Sequence, residues 1–401
     1  MTGPLDGFRV VDLSAMVSGP VATMMLADQG AEVIKVEPLQ GEYMRRAGVQ
    51  HAGMSSSFLS CNRGKRSLSV DLKTDAGIAI VLKLVQRADV FVQNFRPGAI
   101  ERMGLGEEAV RKLAPTIVYV SISGFGEAGP YALQRVYDPI IQALSGLADV
   151  QRDRATGQPH MVRTIVPDKT TSVTAAQAIT AALLHRERKG EGQHVRLAML
   201  DTMVAYLWPE SMSGLNFVGN EVDPARAQMG LDLIFQTLDG HITAATVADA
   251  EWHGFCRAIG RNDLVEDARF ATARARQENQ AARRQLMSDE LARWSSAEIL
   301  ARLKDEDVPC APIVERTALL ENEQIVCNRL VEEHADPVLG RVRQPRPAAR
   351  FSRTPSRVRS LAPFLGADND RILSELGYSE EETERLHADR IVRTEVPPNR
   401  T

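Results

Sequence analysis

The sequence predicts an α/β fold: an open parallel Rossmann-like sheet in a large domain, joined to a smaller α+β domain. Short β-branched runs alternate with helical stretches through roughly the first half of the chain. That is the pattern of strand–helix–strand units with right-handed crossovers. From about Gly219 the alternation gives way to a hairpin-like run and then to helices. The 401 residues also exceed the ~250–300 at which one hydrophobic core stops growing.

Taken in order, "FRVVDL" (Phe8–Leu13) reads as a strand, and "PVATMMLADQG" as a helix with Pro20 near its start and Gly30 as its stop. "EVIKVE" is a second strand, and Val70–Lys73 in "SVDLKT" reads as another. "DAGIAIVLKLVQRA" (Asp75–Ala88) reads as a helix, then "DVFVQN" and "IVYVSI" as strands. A long helical segment headed by Asp168 leads to strand "HVRLAM" and helix "DTMVAYLWPESM". "DLIFQTLDGHITAAT" predicts a hairpin turning at Asp239-Gly240, and "AARRQLMSDELARW" and "SAEILARLKDED" predict helices. The expected domains are residues 1–218 (large), 222–322 (small) and 323–401, an Arg- and Pro-rich segment that returns to the large domain.

A formal net charge of −4 gives no global basic field for nucleic acid or an anionic membrane. No run approaches the ~18–20 apolar residues of a membrane span, and the N-terminus has no signal-like core. Cys61, Cys256, Cys310 and Cys327 are isolated, which fits a reducing cytoplasm. The eight histidines form no H-x-x-x-H or H-E-x-x-H pattern, so no metal site is expected.

Sheets of this class bind ligands beyond the carboxyl ends of their strands. The first such turn, "LSAMVSGP", has only Gly19 where a dinucleotide fingerprint needs G-x-G-x-x-G, and Glu37 alone is a weak ribose-binding signal. "CNRGKRSLSVDLKTDAG" places Arg63, Lys65, Arg66 and Lys73 close together, as a solvated basic face or as a cradle for phosphates. Asn94, Phe95, Arg96 and Arg102 follow a strand; Arg135, Tyr137 and Asp138 lie on another loop-to-helix passage. Phe95 is either packing or an adenine contact. Several cationic loops at strand ends point to one phosphorylated ligand. Asp168 is either a helix N-cap or a carboxylate nucleophile.

These blocks together resemble the class III CoA-transferases, the family of formyl-CoA transferase and carnitine CoA-transferase, with α-methylacyl-CoA racemase as a relative. The resemblance runs from "PLDGFRVVDLSAMVSGPVATMMLADQGAEVIKVE" through "CNRGKRSLSVDLKT", "NFRPGAIERMGL" and "RVYDPIIQALSGL" to "DKTTSVTAAQAITAALLHRERKGEGQHVRLAMLD", with "PCAPI" and "APFLGADNDRILSELGYSEEETERLH" beyond. It implies Asp168 as the catalytic residue. It implies a CoA site lined by Val17, Ser18, Val70, Asp71, Leu72, Lys73, Asn94, Phe95, Arg96, Arg102, Arg135, Val136, Tyr137 and Asp138.

The resemblance further implies transfer of CoA from an acyl-CoA to a carboxylic acid, through an aspartyl anhydride and an aspartyl-CoA thioester. CoA and acyl-CoA are then substrates, with no permanently bound cofactor, and the partner is a second copy in an interlocked homodimer. Two departures stand out. Pro38 replaces an Arg that stacks near adenine in formyl-CoA transferase, and no glycine-rich lid lies between Ser211 and Ala248. The alternatives are a racemase or isomerase of the same fold, or a non-catalytic CoA-binding protein. The racemase branch has His where this chain has Tyr137, and a phenol with a pKa near ~10 is a poor base at neutral pH.

Overall fold

The computed structural model describes residues 3–153, 156–223 and 232–396. The chain divides into two compact units: Met1–Ala227 with Arg329–Thr401, and Gln228–Asn328.

The first unit is built on β1 (Arg9–Asp12), α1 (Ser18–Asp28), β2 (Glu32–Glu37), a short antiparallel pair β3 (Gln50–His51) and β4 (Met54–Ser55), α2 (Ser56–Asn62), β5 (Lys65–Ser69) and α3 (Asp75–Val85). It continues through β6 (Val90–Gln93), α4 (Ala99–Arg102), α5 (Glu107–Leu113), β7 (Val118–Ser123), α6 (Asp138–Leu144), α7 (Leu147–Val150), α8 (Val166–Lys189), β8 (His194–Ala198) and α9 (Met199–Leu207). Six strands form one sheet in the order β5-β2-β1-β6-β7-β8, and every pairing in it is parallel.

Burial on both faces explains the valines and isoleucines that run through β1, β2, β6 and β7. Val11, Ile34 and Phe91 join one core with Ile80, Leu84 and the C-terminal Ile372, Leu373 and Val392. Their neighbours Val10, Val33, Val90 and Val92 join the other with Ala22, Leu26, Ala175 and Ile179. Side chains alternate faces along a strand, so one run of valines serves two helical layers.

Several boundaries differ from the sequence expectation. β5 stops at Ser69; Asp71–Thr74 form a turn closed by Thr74 N–H on the Asp71 carbonyl (3.2 Å). Thr74 then caps α3, accepting from Gly77 N–H at 3.1 Å. Within the Arg- and Pro-rich segment 323–401, Val331–Asp336 and Gly340–Pro345 pair as an antiparallel hairpin that the sequence reading did not include.

In the second unit, Ile234–Gln236, His241–Ala244 and Cys310–Pro312 make a three-stranded antiparallel sheet. The expected turn at Asp239-Gly240 joins the first two strands. Helices Asp249–Ala258, Gln280–Leu291 and Ser296–Asp305 bury Trp252, Phe255, Leu291 and Leu303 against Phe235 and Ile242.

Candidate active site

The strand order reverses between β1 and β6, and the crevice at such a point is where open α/β sheets take ligands. β1 ends here at Asp12, and the chain turns through Leu13–Val17 into α1. The floor beneath this turn is ionic and buried. Asp12 Oδ2 accepts from Lys65 Nζ at 2.8 Å and from Thr23 Oγ1 at 2.7 Å, while Oδ1 accepts from Ser14 N–H at 2.9 Å. Lys65 Nζ also donates to Pro20 O and Asn62 Oδ1, each at 2.8 Å. Lys35 Nζ donates to Ser14 O at 2.8 Å and pairs with Glu42 at 2.9 Å. Burial alone would raise the Asp12 pKa; Lys65 and Lys35 outweigh it and hold that carboxyl far below the usual range.

The turn is clamped from above as well. Asn94, just past β6, brackets Ala15, accepting from its N–H and donating to its carbonyl, both at 2.8 Å. Glu42 accepts from Met16 N–H at 2.7 Å. Met16 lies at φ +68°, a conformation costing ~1–3 kcal/mol that persists where surrounding contacts over-determine it. Gly19 is the close approach of the turn: a Cβ there would lie 2.3 Å from the Ser14 side chain.

Asp168 enters from α8. It is not the N-cap: Ile165 holds that position, and Asp168 is the third residue of the helix. Its own N–H is taken by Asp138 Oδ2 at 3.2 Å. Its carboxylate reaches across to α1, where Oδ1 accepts from Ser18 Oγ. Ser18 is the first residue of α1, a helix with neither a side-chain cap nor an acid in its first turn. Asp168 therefore places its charge at the positive end of a neighbouring helix, which favours an anion. Burial raises its pKa above the ordinary value, the Ser18 hydroxyl and N–H oppose that, and the charge of Asp138 adds to it.

Asp138, itself buried, is held by Gln142, whose Nε2 donates to Oδ1 at 2.6 Å. The same amide donates to Val162 O and Thr164 O at 3.2 and 3.3 Å and accepts from Val162 N–H at 2.9 Å. The entry to α8 is thus pinned, and with it the position of Asp168. Glu42 and Gln142 were missed from sequence, and only their proximity in the fold marks them.

The cationic loops separate into two groups. Arg63 pairs with Asp28 at 2.7 Å, Lys65 with Asp12, and Arg66 with Glu32 and Glu375 at 2.5 and 2.8 Å. Neither a solvated face nor a phosphate cradle describes them. Their acids come from β1, α1, β2 and the helix Asn369–Glu375, all distant in sequence. Lys73, Arg96, Arg102 and Arg135 are exposed, and among the described residues their side chains make no ion pair or hydrogen bond.

Lys73, Arg96 and Arg135 stand on loops after β5, β6 and β7, whereas Arg102, expected on a loop, ends the short helix α4 that follows β6. Val17 lies buried in the turn and Val70 beneath it at the end of β5; Leu72 and Phe95 pack against the core below. Asp71 Oδ1 accepts from Lys73 N–H at 3.0 Å. Val136 packs with the Ile141 cluster, and Tyr137 is 65% exposed. Among the described residues no group of His, Cys, Asp and Glu could hold a metal ion, and no helix is long and apolar enough to cross a membrane.

Known proteins are similar to this chain along most of its length. A family model described as CoA-transferase family III matches residues 5–369. The succinate–glutarate CoA-transferase of Agrobacterium fabrum is 35% identical over 386 residues, 93% of this chain and 96% of that protein. Succinyl-CoA:glutarate CoA-transferase of Mus musculus is 33% identical, covering 96% of this chain and 89% of its own length. The crystal structure of Rv3272 from M. tuberculosis superposes with a TM-score of 0.82 at 32% identity, over 93% of this chain and 99% of that one.

Proposed function

The chain belongs to CoA-transferase family III, and on that premise we propose that it moves CoA from an acyl-CoA donor to a free carboxylic acid by covalent chemistry at Asp168. The observation that carries this is the half-buried Asp168 carboxylate, set at the N-terminus of α1 in the switch-point crevice and bonded by Ser18. The Asp168 carboxylate attacks the thioester carbonyl, the C–S bond breaks, and a mixed anhydride and CoA thiolate form. The thiolate attacks the aspartyl carbonyl, giving an aspartyl-CoA thioester and releasing the donor acid. An incoming carboxylate attacks that thioester, the C–S bond breaks, CoA thiolate is released and the second anhydride forms. The thiolate then attacks its acyl carbonyl, yielding the new acyl-CoA and free Asp168. The α1 N-terminus favours each oxyanion, and no step needs a metal or a permanently bound cofactor.

The relatives' names bear on substrate class. Those from Agrobacterium fabrum and Mus musculus are named for succinate or succinyl-CoA with glutarate. We assign this chain a dicarboxylyl-CoA donor and a dicarboxylic acceptor. A panel of succinyl-CoA and monocarboxylyl-CoA donors against mono- and dicarboxylic acids, read by mass spectrometry, should give exchange with succinyl-CoA and dicarboxylates. Exchange confined to monocarboxylates would reverse the assignment.

The free cations Lys73, Arg96, Arg102 and Arg135 serve the nucleotide end of CoA in this proposal. A charge-assisted contact is worth ~1.5–3 kcal/mol, so Arg102→Ala should weaken CoA binding by roughly tenfold or more. Unchanged affinity by calorimetry would remove Arg102 from the site.

An interlocked homodimer is part of the same proposal. Helices α6, α8 and α9 leave Ile140, Leu144, Val173, Val204 and Tyr206 exposed, with Trp208 just past the end of α9, more apolar surface than scattered single residues require. If the chain interlocks as the resemblance implies, the two linkers between the large and small domains would thread the partner; residues 217–232 lie partly outside the described residues, and residues 328–357 contain the hairpin described above. Sedimentation at native pH should find a dimer that persists on dilution; a reversible monomer would contradict it.

A further inference from the structure

Beside the carboxyl end of β5 lies a cavity of about 300 Å³, lined by Gln40, Arg45, Arg46, Ser55, Arg393 and Glu395. Neither Asp168 nor any of the free cations above is among its lining residues. Arg45 forms its floor: the guanidinium lies 3.7 Å over the Phe58 ring and is held by Glu37 through two hydrogen bonds of 2.6 and 2.7 Å.

The other two guanidiniums are not neutralised. Arg46 donates to the Gln40 carbonyl at 3.2 Å and Arg393 to the Leu39 carbonyl at 3.3 Å. Neither has a carboxylate partner among the described residues. Glu395 is the only other charged group of the lining. Two guanidiniums with no carboxylate partner leave a net positive lining that suits an oxyanion, and the planar fork of Arg matches phosphate oxygens two at a time. The lining is too polar for an acyl chain.

The C-terminal segment ties the cavity to the sheet. Val392 bridges antiparallel to Val70, Asp71 N–H donates to Ile391 O at 2.8 Å, and Arg393 N–H reaches Ser69 O at 3.4 Å. Arg393 therefore stands beside the Val70–Lys73 turn. β5 lies two strand spacings from β1, roughly 10 Å at ~4.8 Å each, a span the nucleotide and pantetheine arm of CoA can bridge towards Asp168.

We propose that this cavity holds the terminal 3′-phosphomonoester of the CoA substrate, with Arg46 and Arg393 as its ligands. The assignment rests on the CoA-binding reading of the carboxyl-end loops. The test measures binding of CoA and of 3′-dephospho-CoA by calorimetry, in the wild-type chain, in Arg46→Ala/Arg393→Ala and in Glu395→Gln. Wild type should prefer CoA by tenfold or more, the double variant should lose that preference while still binding dephospho-CoA, and Glu395→Gln should widen it. Equal affinities in wild type, or a preference that survives in the double variant, would overturn the pocket and leave the CoA reading intact. Wild type that binds neither compound would overturn the CoA reading itself. If inorganic phosphate binds the dephospho-CoA complex while the CoA preference ignores both arginines, the cavity takes free phosphate and the assignment fails.

Discussion

Asp168→Asn is expected to abolish CoA transfer while leaving the melting temperature unchanged or slightly higher. An amide cannot form the anhydride, so a covalent route through this carboxyl stops entirely. The stability half of the expectation follows from the pKa. Burial raises the Asp168 pKa above the ordinary value in the folded chain. A raised carboxyl contributes stability that is present below its unfolded pKa and is lost as pH rises through its folded pKa. At neutral pH the ionised side chain is therefore a cost that Asn does not carry, and the Asn carbonyl can still accept from Ser18. Below the ordinary aspartate pKa of 3.8 the two proteins should converge.

For the same reason the acid limb of the transfer rate should lie above the usual aspartate range. A chemical trap locates the intermediate: wild type incubated with acyl-CoA and quenched with hydroxylamine should carry a hydroxamate on the peptide containing Asp168. A mark on Asp138, or normal turnover in the Asn variant, would mean that the nucleophile is a different carboxylate.

Lys65→Met should be the most destabilising single change in the basic block. Both partners of the Lys65–Asp12 pair are fully buried. Removing one partner of such a pair costs ~3–5 kcal/mol, because the other charge stays buried and unpaired. At ~2–4 °C per kcal/mol for a domain of comparable size, the melting temperature should fall by roughly 10 °C. Asp12→Asn added to Lys65→Met should recover part of the loss, since the orphaned charge is gone. A Lys65→Met chain that melts like wild type but binds CoA weakly would return Lys65 to the phosphate cradle suggested by its sequence neighbours.

The contrast between Lys65 and Lys73 shows where sequence reasoning reaches its limit. Both lie in one short basic stretch, and nothing local distinguishes them. Lys65 points into the sheet beside Asp12 of β1, while Lys73 stands on a turn past the strand end. Charge in a one-dimensional pattern does not say which acids fold next to it. The hairpin at Val331–Pro345 escaped notice for a related reason: its Arg and Glu positions read as a polar linker. They face each other only once paired, with Arg341 and Arg343 both on Glu333.

What the sequence determined by itself was the sheet. Its β-branched runs, helix stops and parallel alternation are local properties, with each residue's propensity and periodicity acting over a few neighbours. The candidate carboxylate was legible too, because the blocks around Asp168 resemble a family as a whole. The tertiary structure alone decided what Asp168 does as a cap. Local propensity put it at the head of its own helix, whereas the fold gives its backbone N–H to Asp138 and its carboxylate to the open end of α1, 150 residues away in sequence. Helix dipoles and buried ion pairs act through space, so their partners are chosen by packing and not by neighbours along the chain.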